Sequence, residues 1–72
     1  MKNKKLPGFL EKLLLINRME GKIVDNEYLI RMKKEIDFAD MFHYDMSEHK
    51  KSYNQYAFLS GLSMYSDEEM KE

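Results

Sequence analysis

The longest regular pattern of hydrophobic and polar positions lies in residues 25–46. Positions on one side recur there at alternating spacings of three and four: Leu29, Met32, Ile36, Ala39, His43 and Met46. This spacing predicts one face of an amphipathic helix over 25–46. Three further side chains widen the face towards its C-terminal end: Phe38, Met41 and Phe42. The stripe is then broader than packing against a single neighbouring helix requires.

A first helix is predicted before it, over residues 7–20. Pro7 suits the first turn of a helix, and Gly21 suits the position just after the last turn. The apolar residues between them follow a helical pattern: Phe9, Leu10, Leu13, Leu14 and Ile16. After a short connector, Asp25 is the predicted N-cap of the second helix, because its carboxylate can accept first-turn N–H groups.

A third helix is predicted over residues 49–65. Tyr53, Tyr56 and Ala57 share one of its faces. Ala57, Ser60 and Gly61 predict a low spot for close packing, and Gly61 inside the helix needs such a packing reason or marks a bend. The polar stretch from Ser47 predicts a turn before this helix. The alternative is that the second helix runs through, but such a rod would expose too much apolar surface.

The two ends of the chain differ in charge. Residues 1–6 are predicted to form a loose basic arm, and residues 66–72 an acidic tail. Ser66 and Glu69 have the spacing of a capping box, which leaves a short fourth helical turn as an alternative to a frayed end.

Together these patterns predict an all-α protein with a single three-helix, bundle-like domain. Four side chains on facing stripes are expected in its core: Leu13, Leu29, Met32 and Ile36. A 72-residue chain buries only about 60% of the surface its unfolded form exposes, and this chain has no cysteine for disulfides. We therefore expect a homodimer as the remaining common source of stability.

The chain has no apolar run near the ~18 residues of a membrane span, and we expect a mature, cytoplasmic protein without a cofactor. Asp37, Asp40 and His43 are spaced by three, and Asp45 and His49 by four, as in small metal sites. Three-plus-three spacing drifts around a helix, however, and the two-histidine zinc motifs are absent. We predict a solvated acidic face and no metal site.

Catalysis is the next class considered. His43 beside Asp40 has the arrangement of an oriented general base. No nucleophile with its base, oxyanion donor pair or glycine-rich phosphate loop accompanies it in the sequence. We therefore predict that the protein is not an enzyme.

The second half of the chain is net acidic and rich in aromatic residues and methionine, which are common at adaptable interfaces. We predict that it binds another protein through an acidic and aromatic surface. The predicted partner-binding residues are Asp37, Asp40, Phe42, Tyr44, Asp45, Glu48 and Tyr53. Such a surface suits a basic groove, and basic grooves mostly belong to proteins that hold nucleic acid. The hypothesis is that the protein imitates the charge of DNA or RNA there.

The first half of the chain is net basic, which supports an alternative. Lys12, Arg18 and Lys22, with the basic arm, could contact phosphate groups in a small DNA-binding transcriptional regulator. The helix–connector–helix pattern over 7–46 suggests a helix-turn-helix. Its second helix, however, begins with Asp25 and Glu27, where a recognition helix usually presents groups that bind bases or phosphate.

The composition as a whole resembles the small early proteins of phages that infect Gram-positive bacteria. The resemblance rests on shortness, the absence of cysteine, and stretches such as Lys2-Asn3-Lys4-Lys5 and Tyr53-Asn54-Gln55-Tyr56. It covers no diagnostic motif and assigns no functional residue. It implies host takeover: a protein that binds and inhibits or modulates a host enzyme, often one of DNA replication or transcription.

Overall fold

The structure is a computed structural model, and it describes residues 4–19 and 24–70 of the protein. The described residues form three α-helices and one 3-10 helix, in chain order α1 (Gly8–Glu11), the 3-10 helix (Leu15–Arg18), α2 (Asn26–Met41) and α3 (Ser47–Ser60). The described residues contain no β-strand, only an isolated bridge between Lys4 and Tyr44. The structure is mostly helical, in agreement with an all-α fold.

The helix predicted over 7–20 is wrong in its extent, because it breaks after one turn. The backbone of Leu15 explains the break. Its N–H donates to Oε2 of Glu35 at 2.8 Å, and its carbonyl accepts from the Tyr28 hydroxyl at 2.9 Å. Both partners lie on α2, so tertiary hydrogen bonds replace those that a continuous helix would make. At the end of α1 the carbonyl of Glu11 accepts from the Leu14 N–H and from the side-chain amide of Asn17.

Helix α2 begins as predicted and ends five residues early. Oδ1 of Asp25 accepts from the Tyr28 N–H at 2.8 Å, which confirms the N-cap. At the other end His43 is left-handed, with φ 66°. The N–H of His43 donates to Asp40 and that of Tyr44 to Ala39, the two bonds of a Schellman motif. Histidine is one of the non-glycine residues that tolerate this conformation.

A turn separates α2 from α3, as predicted, and α3 begins two residues earlier and ends five residues earlier than expected. Oδ1 of Asp45 accepts from both the N–H and the hydroxyl of Ser47, at 3.1 and 2.8 Å. Gly61 is not inside the helix: with φ 71° it ends α3 in a second Schellman motif. The predicted low spot at Gly61 is therefore wrong.

The core forms where α2, α3 and the 3-10 helix meet. Leu29, Met32 and Ile36 are buried as predicted, but Leu13 is 57% exposed. Leu13 loses its core position because the break between α1 and the 3-10 helix turns it outwards. The further buried apolar residues are Leu6, Ile16, Met19, Met46, Tyr53, Ala57 and Tyr65.

Both chain ends that the structure describes are held to this core. Lys4 donates its N–H to the His43 carbonyl at 2.8 Å and accepts from the Asp45 N–H at 2.7 Å, and Leu6 is buried. The prediction of a loose arm is therefore wrong for residues 4–6, while residues 1–3 lie outside the described part. Ser66 and Glu69 form the predicted capping box, which closes a turn at the end of the chain.

Candidate protein-binding surface

The predicted acidic surface is largely engaged by groups of the same chain. Oδ1 of Asp37 accepts from the Tyr65 hydroxyl at 2.7 Å, and its Oδ2 lies 3.0 Å from Nζ of Lys33. Oδ2 of Asp40 lies 3.1 Å from Nζ of Lys50. The carboxylates therefore connect α2 to α3 and to the segment after it, which reduces the negative charge presented to a partner.

The buried cation in this network is Lys50, which is only 6% exposed. Its ammonium also donates to the Glu69 carbonyl at 2.7 Å and lies 5.4 Å from the centre of the Tyr65 ring. Lysine is rarely buried unless it is paired. The arrangement fixes the acidic turn Ser66–Met70 against α3, and Asn54 reinforces it with hydrogen bonds to Tyr65.

The remaining predicted partner-binding residues differ in their exposure and in the contacts they make. Glu48 and Phe42 are exposed, Tyr44 is half-buried, and Asp45 holds the α2–α3 turn. Tyr53 is 1% exposed, packs edge-on against Tyr65 and donates its hydroxyl to the Ser63 carbonyl. Its place in a partner-binding surface is wrong, because it lies on the side of α3 that covers α2.

An apolar groove lies between α1 and α2, and sequence reasoning did not assign it. It encloses about 480 Å³. Its lining residues are Leu6, Leu10, Leu13, Leu14, Lys34, Glu35, Phe38, Ala39, Phe42 and Tyr44, and we call it the α1–α2 groove. Of these lining residues, only Phe42 and Tyr44 were among the predicted partner-binding residues.

The walls of the α1–α2 groove are large apolar side chains that stand in solvent. Phe38 is 63% exposed, and its ring meets that of Phe42 edge-on at 5.0 Å between centroids. Leu13 faces them from the opposite wall. The signal for this wall was present in the sequence as the broadened stripe at Phe38 and Phe42. The opposite wall could not be predicted, because a continuous first helix would place Leu13 in the core.

A second, more polar cavity of about 370 Å³ lies between the 3-10 helix and the start of α3. His49 lines it together with Glu11 and Glu48. Burial lowers the pKa of His49, although Glu11, Asp45 and Glu48 act in the opposite direction. Nδ1 of His49 is buried and makes no hydrogen bond within the described part of the chain.

The described residues contain neither a group of side chains that could hold a metal ion nor a helix that could span a membrane. Residues 4–19 and 24–70 contain no group of three His, Asp or Glu side chains placed to hold a metal ion. Among the same residues no helix has both the length and the apolar character needed to cross a bilayer.

The structure describes some of the basic residues that were assigned to the alternative DNA-binding function. Lys5, Lys12 and Arg18 are exposed, and Lys22 lies outside the described residues. The first helix of the expected helix-turn-helix is a single turn followed by a 3-10 helix. A DNA-binding role therefore stays a prediction from charge, without the two packed helices that the motif requires.

Comparison with known proteins adds no relative. The sequence matches no protein-family model and no curated protein, and the structure matches no solved structure.

Proposed function

We propose that the protein is a non-enzymatic protein-binding module and that the α1–α2 groove is its binding surface. The observation that carries the proposal is the exposure of Leu13, Phe38 and Phe42 around one concave, apolar site. Contiguous exposed apolar surface on a small protein marks an interaction site, whereas single exposed apolar residues do not. Aromatic side chains at the centre of a contact contribute most of the binding energy in many interfaces.

Site-specific crosslinking tests the proposal. A photoreactive phenylalanine analogue replaces Phe42 at the groove, and a matched variant carries it at Phe58, which is 71% exposed on α3. Both are irradiated in a lysate of the cells that make the protein. We expect a defined protein adduct at position 42 that excess wild-type protein suppresses and excess Phe38→Ser does not. Equal adducts at both positions, or no suppression by the wild type, would overturn the proposal.

A second candidate surface is the acidic turn Ser66–Met70, which supports the predicted nucleic-acid-handling target. Asp67 and Glu68 are exposed, and hydrogen bonds from Ser66 keep the pKa of Glu69 below its usual value. Because Lys50 fixes this turn against α3, the charges are presented from the folded body. We expect Asp67→Asn with Glu68→Gln to slow association with the crosslinked partner at low salt, if that partner has a basic groove. An unchanged rate assigns these acids to solubility.

A further inference from the structure

We infer that the α1–α2 groove binds an amphipathic α-helix of a partner protein that carries acidic residues beside its apolar face. The inference rests on the proposed function and names the kind of partner. Three features carry it: the shape of the groove, the state of the backbone around it, and the charges at its rim.

The shape favours an elongated partner over a small molecule. Ala39 and the buried Leu6 lie between two apolar walls, Leu10 and Leu13 on one side and Phe38 on the other. Small-molecule sites usually enclose about 70–90% of the ligand surface, whereas these walls stand largely in solvent. A helix that places apolar side chains at positions i, i+4 and i+7 would cover both walls along their length.

The backbone around the groove excludes the addition of a β-strand at the described N-terminal segment. That segment runs beside the α2–α3 turn, and both the N–H and the carbonyl of Lys4 are already bonded there, to His43 and Asp45. Strand addition needs a free sheet edge whose backbone groups can pair with the partner. The groove presents side chains instead, which is the surface that a helix recognises.

The rim of the groove is basic. Lys34 lines it, and Nζ of Lys4 lies 4.5 Å from the centre of the Tyr44 ring, which also lines it. Glu35 is the carboxylate among the described lining residues, and it already accepts the Leu15 N–H at 2.8 Å. Glu35 keeps its charge, so Lys34 and Lys4 leave the rim with one net positive charge, and acidic residues beside the partner's apolar stripe would complement it.

The same charges argue against a second copy of this chain docking face to face. A symmetric contact would bring two rims of net positive charge together, and like net charge across an interface costs binding energy. An acidic amphipathic helix satisfies both the apolar walls and the basic rim.

Selection from a peptide library tests the inference on the full-length protein. The library displays peptides of about 16 residues, enough for about four helical turns, with apolar residues fixed at i, i+4 and i+7 so that packing on the groove can stabilise the helix. All other positions are random. Peptides are selected on the wild type and depleted on Phe38→Ser. Because Phe38 is exposed, this variant should remain folded.

We expect Asp and Glu to be enriched at the random positions. The affinity of a selected peptide should fall about tenfold for Lys34→Glu and should weaken with salt, while Phe58→Ser leaves it unchanged. Enrichment of Lys and Arg, or retention of binding by Lys34→Glu, would overturn the acidic helix and leave the proposed function standing. Failure to obtain any peptide that depends on Phe38 would overturn the helical partner, while the crosslinking experiment decides the proposed function separately.

Sedimentation of the wild type and of Phe38→Ser distinguishes a second copy. A monomeric wild type, or a dimer that Phe38→Ser retains, is consistent with the inference. A dimer that Phe38→Ser abolishes would assign the groove to self-association and contradict it.

Discussion

The hydroxyl of Tyr65 donates a hydrogen bond to Oδ1 of Asp37 at 2.7 Å, and this bond ties the segment after α3 to the middle of α2. Tyr65 is buried, and its ring lies 5.0 Å from Nζ of Lys33. Burial raises the pKa of Tyr65, and the bond to the Asp37 carboxylate raises it further. The phenol therefore stays protonated in the folded protein at a pH where an unfolded tyrosine ionises.

The first prediction concerns alkaline stability. The unfolded chain releases the Tyr65 proton near its ordinary pKa of 10.0, while the folded chain retains it, so the free energy of unfolding should fall as the pH rises above 10. Tyr65→Phe removes this proton from both states. Urea unfolding at about pH 8 and about pH 10.5 should show a smaller loss for Tyr65→Phe than for the wild type. Equal losses would show that Tyr65 ionises normally in the folded state.

The second prediction concerns the Asp40–Lys50 pair. Asp40→Asn leaves the buried ammonium without its carboxylate, and we expect the free energy of unfolding to fall by about 1–3 kcal/mol. Glu48→Gln is the matched control, since Glu48 is exposed, and its effect should stay within about 0.5 kcal/mol. Thermal or urea unfolding measures both. Similar losses in the free energy of unfolding for the two variants would mean that Asp40 stabilises the fold no more than an exposed carboxylate does.

The third prediction separates the core from the groove. Ile36 is 1% exposed, and Ile36→Ala should cost about 2–5 kcal/mol because it leaves a cavity between α2 and α3. Leu13→Ala should change stability by no more than about 0.5 kcal/mol, because Leu13 stands in a groove wall. Chemical unfolding of both variants checks the pair. A large loss in the free energy of unfolding for Leu13→Ala would show that Leu13 is part of the core.

Much of the central packing could be predicted from the sequence, and particular residues show why. Leu29, Met32 and Ile36 were identified because a period of three and four determines which side of a helix meets the core. The first helix could not be predicted correctly, because Glu35 and Tyr28 take the backbone groups of Leu15 across about 13 to 20 residues of sequence. Local patterns contain no information on such a competition.

The candidate site depends on the same long-range bonds. The wall at Phe38 and Phe42 was visible as excess apolar width on α2. The wall at Leu13 arises only after the first helix breaks. The burial of Lys50 was equally hidden, since lysine is normally exposed and its partners Asp40 and Glu69 are distant in sequence.

The fourth prediction concerns the two left-handed helix ends. Gly61→Ala forces a Cβ into φ 71° and should cost about 1–2 kcal/mol, although nothing lies within 4 Å of that Cβ. His43→Gly relieves the same conformation and should stabilise the protein by about 0.5–1 kcal/mol. Gly8→Ala, at an open position in α1, serves as the control for removing a glycine. Opposite signs for Gly61→Ala and His43→Gly in thermal unfolding are expected. Equal signs would contradict the helix ends described above.

The most direct test of the account is an NMR perturbation map of the wild type on addition of a peptide selected for binding. The account predicts that the largest chemical-shift changes fall on the walls of the α1–α2 groove, at Leu10, Leu13, Leu14, Phe38 and Phe42. Phe58 and Leu59, which are exposed on α3, should not shift and provide the internal control. Changes centred on α3 or on the acidic turn Ser66–Met70 would contradict the assignment of the groove as the binding surface.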